Sequence, residues 1–283
     1  MIIVKYKTAL QQYLKKLPSS FNKVGFVPTM GALHEGHISL IHLAKKEHDV
    51  VVCSIFVNPT QFNNSNDLAK YPVTIEADIE KLTQAGCDFL FLPAVDEMYP
   101  PNETNKHYEL GYIETILEGF YRPGHFQGVC IIVDKLLALV QPHTLFLGRK
   151  DYQQCMVIQK MMTTAHPNIH LTIGDTIREK DGLAMSSRNM RLNATERLQA
   201  LKIIEALQYI QQQIKPGNVT LLKKQATLFL ENNGYKVDYI EIAAASTLQP
   251  VLEWDAKVPL VALVAAYLNE VRLIDNIILK SVG

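Results

Sequence analysis

Along the first two-thirds of the chain, short apolar runs alternate with segments whose apolar positions recur every three or four residues. The runs fall at residues 24–27, 50–57, 87–92, 144–147 and 169–173. Their nearly continuous Val, Ile, Leu and Phe content predicts strands covered on both faces, as in a parallel sheet. Between them, 38–44, 73–84, 127–139 and a segment ending at about residue 164 carry the helical period. Strand alternating with helix predicts an α/β fold, a Rossmann-like doubly wound parallel sheet. Pro100, Pro101 and the polar residues up to His107 predict an exposed connection.

The pattern changes after the fifth run. Asn193 and Glu196 make a capping-box-like start to a helix expected to reach about residue 214. Pro216-Gly217 breaks it, and 219–230 is a second helix. Three β-rich segments follow, at 237–242, 258–267 and 271–279. Two helices with antiparallel strands predict a smaller C-terminal α+β domain. The expected division is 1–176 and 177–283.

Composition narrows the function classes. At 283 residues, 48% hydrophobic and 20% charged, the chain has ample material for two globular domains. Lys+Arg and Asp+Glu are equal at 28 each, so no global field gathers nucleic acid or an anionic membrane, and any phosphate site must be local. Cys53, Cys87, Cys130 and Cys155 are scattered, mostly in apolar runs, and form no CxxC pair, which predicts reduced core thiols. Lys5 and Lys7 interrupt the opening apolar residues, and no run reaches spanning length. The expectation is a cytoplasmic protein with neither nucleic-acid nor membrane partner.

Candidate chemistry gathers where strands hand over to helices, the end of an open α/β sheet that binds ligands. After the first run comes Pro28-Thr29-Met30-Gly31-Ala32-Leu33-His34-Glu35-Gly36-His37, a glycine-bearing loop leading into a helix. A helix N-terminus offers unpaired N–H groups and a partial positive charge to an anion such as phosphate. Gly31 and Gly36 permit close backbone approach, and His34 and His37 add imidazole donors. A metal site is not indicated, because the HExxH arrangement and a third ligand are missing.

After the second run, Asn58 and Gln61 offer amides that bond hydroxyls or carboxylates without adding charge. Arg122, before Pro123-Gly124-His125-Phe126, is a loop cation ahead of a helix. After the fourth run, Gly148-Arg149-Lys150-Asp151 sets an ammonium at a helix start, with Gln154 one turn on. Met185-Ser186-Ser187-Arg188 supplies two hydroxyls and a guanidinium in a glycine-containing loop. The glycine pattern is not GxGxxG, and no GxxxxGK[ST] string occurs.

The block ending in His34-Glu35-Gly36-His37 resembles the HxGH signature of the nucleotidylyltransferase superfamily, and the whole string resembles the pantothenate synthetase family. Met185-Ser186-Ser187-Arg188 is similar to the KMSKS-type loop that partners HxGH, in the expected order, and Arg122 to Phe126 matches a recurrent string of that family. The resemblance implies condensation of (R)-pantoate with β-alanine through a pantoyl adenylate, with ATP as substrate and Mg2+ on its phosphates. It implies ATP contacts from Met30, Gly31, Ala32, Leu33, His34, Glu35, Gly36, His37, Gly148, Arg149, Lys150, Asp151, Ile177, Met185, Ser186, Ser187 and Arg188. Gln61, Gln154 and Asn58 are the expected pantoate and β-alanine contacts. His37, His34, Lys150 and Arg188 are the expected catalytic groups, with His37 either donating a proton or stabilising charge by hydrogen bonding. A homodimer, with the C-terminal domain as a lid, is also implied. Two other readings stand beside it: a nucleotidylyltransferase acting on a phosphorylated acceptor, which needs a basic pocket, and an RNA-binding module, which the zero net charge disfavours.

Overall fold

Six parallel strands form the larger sheet: β1 Ile2–Val4, β2 Val24–Thr29, β3 Val50–Ile55, β4 Phe89–Phe91, β5 Thr144–Gly148 and β6 His170–Gly174. Their spatial order in the computed structural model, which describes residues 1–18, 23–101, 103–104 and 106–279, is β1-β4-β3-β2-β5-β6. Every residue of β3 is buried, because strands flank it on both edges and helices cover both faces of such a sheet. Five of the six strands are the expected apolar runs. β1 is too short for a pattern to show, and two of its three residues are exposed at the sheet edge.

The order places the topological switch between β2 and β5. Successive connections leave this point in opposite directions, so the loops after Thr29 and after Gly148 diverge around a crevice. Helix Glu35–Glu47 lays Ile38, Ile41 and Ala44 into one apolar cluster with Val27, Val51, Cys53 and Phe146. That packing fixes where the helix begins. All four cysteines are buried thiols outside any disulfide, and burial pushes the Cys87 and Cys130 thiols up to about 12. Of the connection expected from Pro100 to His107, Asn102 and Asn105 lie outside the described residues.

The chain forms two compact units. Met1–Arg149 with Gln153–Ile177 is the first, and Lys150–Tyr152 groups with the chain from Arg178 onward as the second. In the second, strands Val271–Leu279, Leu260–Leu268 and Tyr235–Ala244 make an antiparallel sheet in that order. Helices Lys202–Gln213 and Thr220–Asn232 pack against it around Leu207, Leu230, Ile242 and Val264. Asn193 and Glu196 do form a reciprocal capping box. The helix they start is not continuous, however: it stops at Gln199 and resumes at Lys202. Tyr235 donates its hydroxyl to the Gln199 carbonyl at 3.0 Å, and the Ile203 N–H turns to the Ala200 carbonyl at 3.2 Å. A three-residue bond there tightens the ladder into a short 3-10 step.

Helix His125–Val140 of the first unit is buried along nearly its whole length and carries one internal charge, Asp134. Its carboxylate accepts from Lys106 Nζ at 2.8 Å, Tyr108 Oη at 2.8 Å and His166 Nε2 at 2.7 Å. Burial alone would raise this carboxyl; the three donors outweigh it and hold the group below the usual carboxylate range. A depressed folded value means the stabilisation is complete above the unfolded pKa of about 4 and is lost as pH falls through the folded value. Asp134→Asn should therefore lower unfolding stability by about 2 kcal/mol near pH 7. The difference from the parent, read from urea midpoints, should narrow as pH falls below about 4; a gap that stays undiminished in acid would exclude this origin.

Candidate active site

β2 leads into a turn that takes the left-handed region twice, at Gly31 with φ 83° and at Ala32 with φ 48°. A side chain at Gly31 is blocked in two directions, since a Cβ would lie 3.0 Å from Ile55 Cγ2 and 3.2 Å from Asp78 Oδ2. Ala32 holds a conformation that costs about 1 kcal/mol or more for a non-glycine residue. The compensation comes from Asp78 on helix Ile75–Gln84, fully buried, which accepts from Ala32 N at 2.9 Å and Leu33 N at 2.8 Å. Thr74 Oγ1 donates to the same carboxylate at 3.0 Å. One anion thus satisfies two successive backbone donors and sets the path into helix Glu35–Glu47.

At the start of that helix the two histidines cap each other's backbone. His34 Nδ1 accepts from Gly36 N at 3.1 Å, and His37 Nδ1 accepts from His34 N at 3.3 Å. The rings lie 4.0 Å apart between centroids. A ring nitrogen that accepts carries no proton, so these backbone donors assign the Nε2–H tautomer to both imidazoles. Each is then an N–H donor on its far edge. A Cβ on Gly36 would sit 2.9 Å from the His34 ring, and Ile177 Cβ lies 3.9 Å from the same point. Glycine here lets the ring fold back onto the helix and brings Ile177 beside it, while Glu35 is exposed in the first turn.

A relay of neutral groups orients Gln61. Asn58 Oδ1 accepts from Tyr99 Oη at 2.7 Å and Thr60 Oγ1 at 3.1 Å, so its amide nitrogen faces the other way. That nitrogen donates to Gln61 Oε1 at 3.2 Å and to the Gly128 carbonyl at 3.1 Å. Burial pushes the Tyr99 hydroxyl above its ordinary range, which keeps it a donor. With its oxygen engaged, Gln61 presents its NH2, whose nitrogen lies 2.8 Å from Met30 Sδ. His125 Nδ1 bonds the Gln61 carbonyl at 2.9 Å and anchors the turn to helix His125–Val140. Gly128 is required because a Cβ there would collide with the Thr60 carbonyl.

The first unit thus brings residues 30–37, Asn58, Gln61 and Ile177 together. Gly148, at the end of β5, Arg149 and half-buried Gln154, in the first turn of helix Tyr152–Ala165, belong to the same unit. Arg149 Nη1 pairs with Asp175 Oδ1 at 2.7 Å. Arg122, expected as a loop cation, folds onto Glu118, with Nη1 3.3 Å from Oε2.

Lys150, Asp151, Met185, Ser186, Ser187 and Arg188 belong to the second unit. Lys150 Nζ lies 3.6 Å from Asp151 Oδ2. Ser186 caps the 3-10 turn Ser187–Arg191 by accepting from Arg188 N at 3.3 Å. Sequence reading missed Asp78, Tyr99 and His125 as supports of the site. Asp78 had a signal: it shares the apolar stripe of its helix with Ile75 and Leu82, where an unpaired carboxylate would be costly. Tyr99 had none, because its partner lies across the fold.

Similarity to known proteins agrees with this geometry. The family model described as pantoate-beta-alanine ligase matches residues 2–278. A pantothenate synthetase of Cytophaga hutchinsonii is 45% identical over 278 residues, 96% of this chain and 98% of that protein. One from Bacteroides thetaiotaomicron is 43% identical over 274 residues, 96% of this chain and 97% of the relative. Among solved structures, a pantothenate synthetase from Thermus thermophilus superposes with a TM-score of 0.90 at 38% identity, covering 99% of this chain and all (100%) of that one. The Francisella tularensis pantoate-beta-alanine ligase, complexed with beta-gamma ATP and beta-alanine, gives 0.84 at 39% identity over 98% of this chain and 97% of that one. With the match running almost from end to end in sequence and in fold, the chain belongs to the pantoate–β-alanine ligase family, the pantothenate synthetases.

Proposed function

We propose that this enzyme joins (R)-pantoate to β-alanine in two steps at the turn between β2 and helix Glu35–Glu47. In the first, a pantoate carboxylate oxygen attacks the α-phosphorus of ATP, the bond to the bridging oxygen breaks, and pyrophosphate leaves. In the second, the β-alanine amine attacks the acyl carbon of pantoyl adenylate, the acyl–oxygen bond breaks, AMP leaves, and the nitrogen gives up a proton. The observation that carries this reading is the pair of Nε2–H imidazoles at a helix N-terminus, beside a glutamine turned to present its NH2.

Carboxylate and triphosphate are both anions, so alignment and charge neutralisation are the chief catalytic demands. In this assignment the helix N-terminus, His34, His37, Lys150 and Arg188 meet the developing phosphate charge, and Gln61 with Gln154 holds pantoate. Residues 30–37, Gly148, Arg149, Asp151, Ile177, Met185, Ser186 and Ser187 complete the ATP contacts. Asn58 acts through Gln61, because its own amide is already engaged on both sides. Magnesium enters on the nucleotide phosphates, its usual carrier; among the described residues no group of three or more His, Cys, Asp and Glu is placed to hold a metal. An acyl adenylate hydrolyses if water reaches it, so we assign the second unit the role of a lid over the intermediate. The family likeness supports a homodimer acting in the cytoplasm, and among the described residues no helix is long and apolar enough to cross a membrane.

Incubation with ATP, pantoate and β-alanine should yield pantothenate, AMP and pyrophosphate by mass. Without β-alanine, pantoate-dependent exchange of labelled pyrophosphate into ATP should persist. AMP transfer that demands a phosphorylated acceptor would instead identify the nucleotidylyltransferase reading.

His37→Ala and Lys150→Ala should each slow that exchange by roughly 100-fold or more, since both act on developing charge. Gln61→Ala should chiefly raise the pantoate KM, by roughly tenfold. Wild-type exchange in either charge variant would remove it from the site.

Asp78→Ala leaves two buried N–H groups without their acceptor and should lower stability by about 2 kcal/mol or more. It should also slow adenylation as strongly as His37→Ala does, although Asp78 touches no substrate in this reading. Unchanged exchange kinetics would mean that the turn keeps its shape unaided.

A further inference from the structure

The second unit contains a polar junction that the two-step reading leaves unused. Asp275 and Asn276 are adjacent on strand Val271–Leu279, both almost fully buried. Arg178 meets Asp275 with a two-pronged contact, Nη1 to Oδ2 at 2.6 Å and Nη2 to Oδ1 at 3.0 Å. The same guanidinium donates from Nη1 to the Gly182 carbonyl at 3.1 Å and from Nη2 to the Asn276 carbonyl at 3.3 Å. Asn276 in turn donates Nδ2 to the backbone carbonyl of Lys150 at 2.8 Å, and its own N–H bonds Asp275 Oδ1 at 2.7 Å.

Two chain segments are therefore tied to one dipeptide. Arg178 and Ala184 pair as an isolated antiparallel bridge, Glu179 N bonds the Leu183 carbonyl at 2.8 Å, and Gly182 makes the turn at φ 96°. This hairpin runs straight into Met185-Ser186-Ser187-Arg188, and Asn189 Nδ2 closes back on the Ala184 carbonyl at 3.0 Å. The other segment is Lys150 itself. Two segments far apart in sequence, one carrying Lys150 and the other Arg188, thus take their backbone position from neighbouring residues of a single strand.

Stability alone does not account for the arrangement. Burial pushes the Asp275 carboxyl above its ordinary range in spite of the guanidinium beside it, the mark of an ion pair that desolvation outweighs. Apolar residues of like volume would commonly hold such a junction as well or better. What they would not supply is directed bonds to the Gly182 and Lys150 carbonyls.

We propose that Asp275 and Asn276 are positioning residues for adenylation, setting the backbone of Lys150 and, through Arg178, of the hairpin that carries residues 185–188. This deepens the function proposed above and rests on its assignment of Lys150 and residues 185–188 to ATP. A positioning role predicts an effect confined to the nucleotide. Asn276→Ala and Asp275→Asn should lower kcat/KM for ATP in pyrophosphate exchange by about tenfold, the loss of directed bonds that aim a group acting on developing charge, and leave the pantoate KM within about twofold. Arg178→Lys, which keeps the charge and loses the fork, should fall between Asp275→Asn and the parent. Asn276→Ala removes the side-chain bond to the Lys150 carbonyl and decides the matter if Asp275→Asn does not fold. A lowered thermal midpoint with an unchanged kcat/KM for ATP, or a pantoate KM that rises about tenfold as well, would overturn the proposal and leave a purely structural strut. Lys150→Ala run alongside separates the two levels. If it abolishes exchange while Asn276→Ala behaves as the parent, the site assignment stands and the positioning role falls; if Lys150→Ala itself is normal, the site assignment has failed first.

Discussion

One buried carboxylate, closed on two successive backbone N–H groups, holds the turn on which the rest of the site depends. Asp78 keeps Ala32 in a backbone region that a non-glycine residue leaves readily, and with it the direction in which the chain enters helix Glu35–Glu47. Everything downstream inherits that direction. The helix presents its N-terminus at the switch point between β2 and β5, His34 reaches back to cap it, and His37 lands close enough to accept from the His34 N–H. Without the carboxylate, Ala32 N and Leu33 N would be two buried donors deprived of this acceptor.

The histidines take their tautomer from this backbone. Because both Nδ1 atoms accept backbone hydrogen bonds, the tautomer is settled before any ligand arrives. A donor preset in this way needs no reorganisation when charge develops on a phosphate oxygen, and that is where preorganised dipoles contribute most. The capping role of His34 and the role proposed for it are therefore the same interaction seen from its two ends.

What could be read from the sequence was what is local. The strands declared themselves by short, nearly continuous apolar runs, and the turn after β2 by glycine and histidine within one short block. β1 stayed hidden because three residues cannot show a period. The interruption after Gln199 depends on a tyrosine 36 residues further on, and the hold on the Ala32 N–H on an aspartate 46 residues away. Lys150 is the extreme case. It follows β5 directly, yet it groups with the second unit, where its carbonyl meets an asparagine 126 residues distant. Local pattern marks the candidate residue; the partner that fixes its backbone is a product of the fold.

In the proposed assignment, the relay through Tyr99, Asn58 and Gln61 meets the acid with neutral amides in place of a guanidinium. A fixed positive charge on the pantoate carboxylate would hold it firmly and also withdraw the electron density it must deliver to phosphorus. Gln61 offers a neutral donor instead. Its oxygen accepts from Asn58, whose own oxygen accepts from Tyr99, and each bond in such a chain strengthens the next donor by an amount on the order of 10–30%. The terminal NH2 is thereby sharpened and fixed in direction without any formal charge. Cations are left to the triphosphate, where the charge to be neutralised grows as the reaction proceeds, and the nucleophile keeps its own.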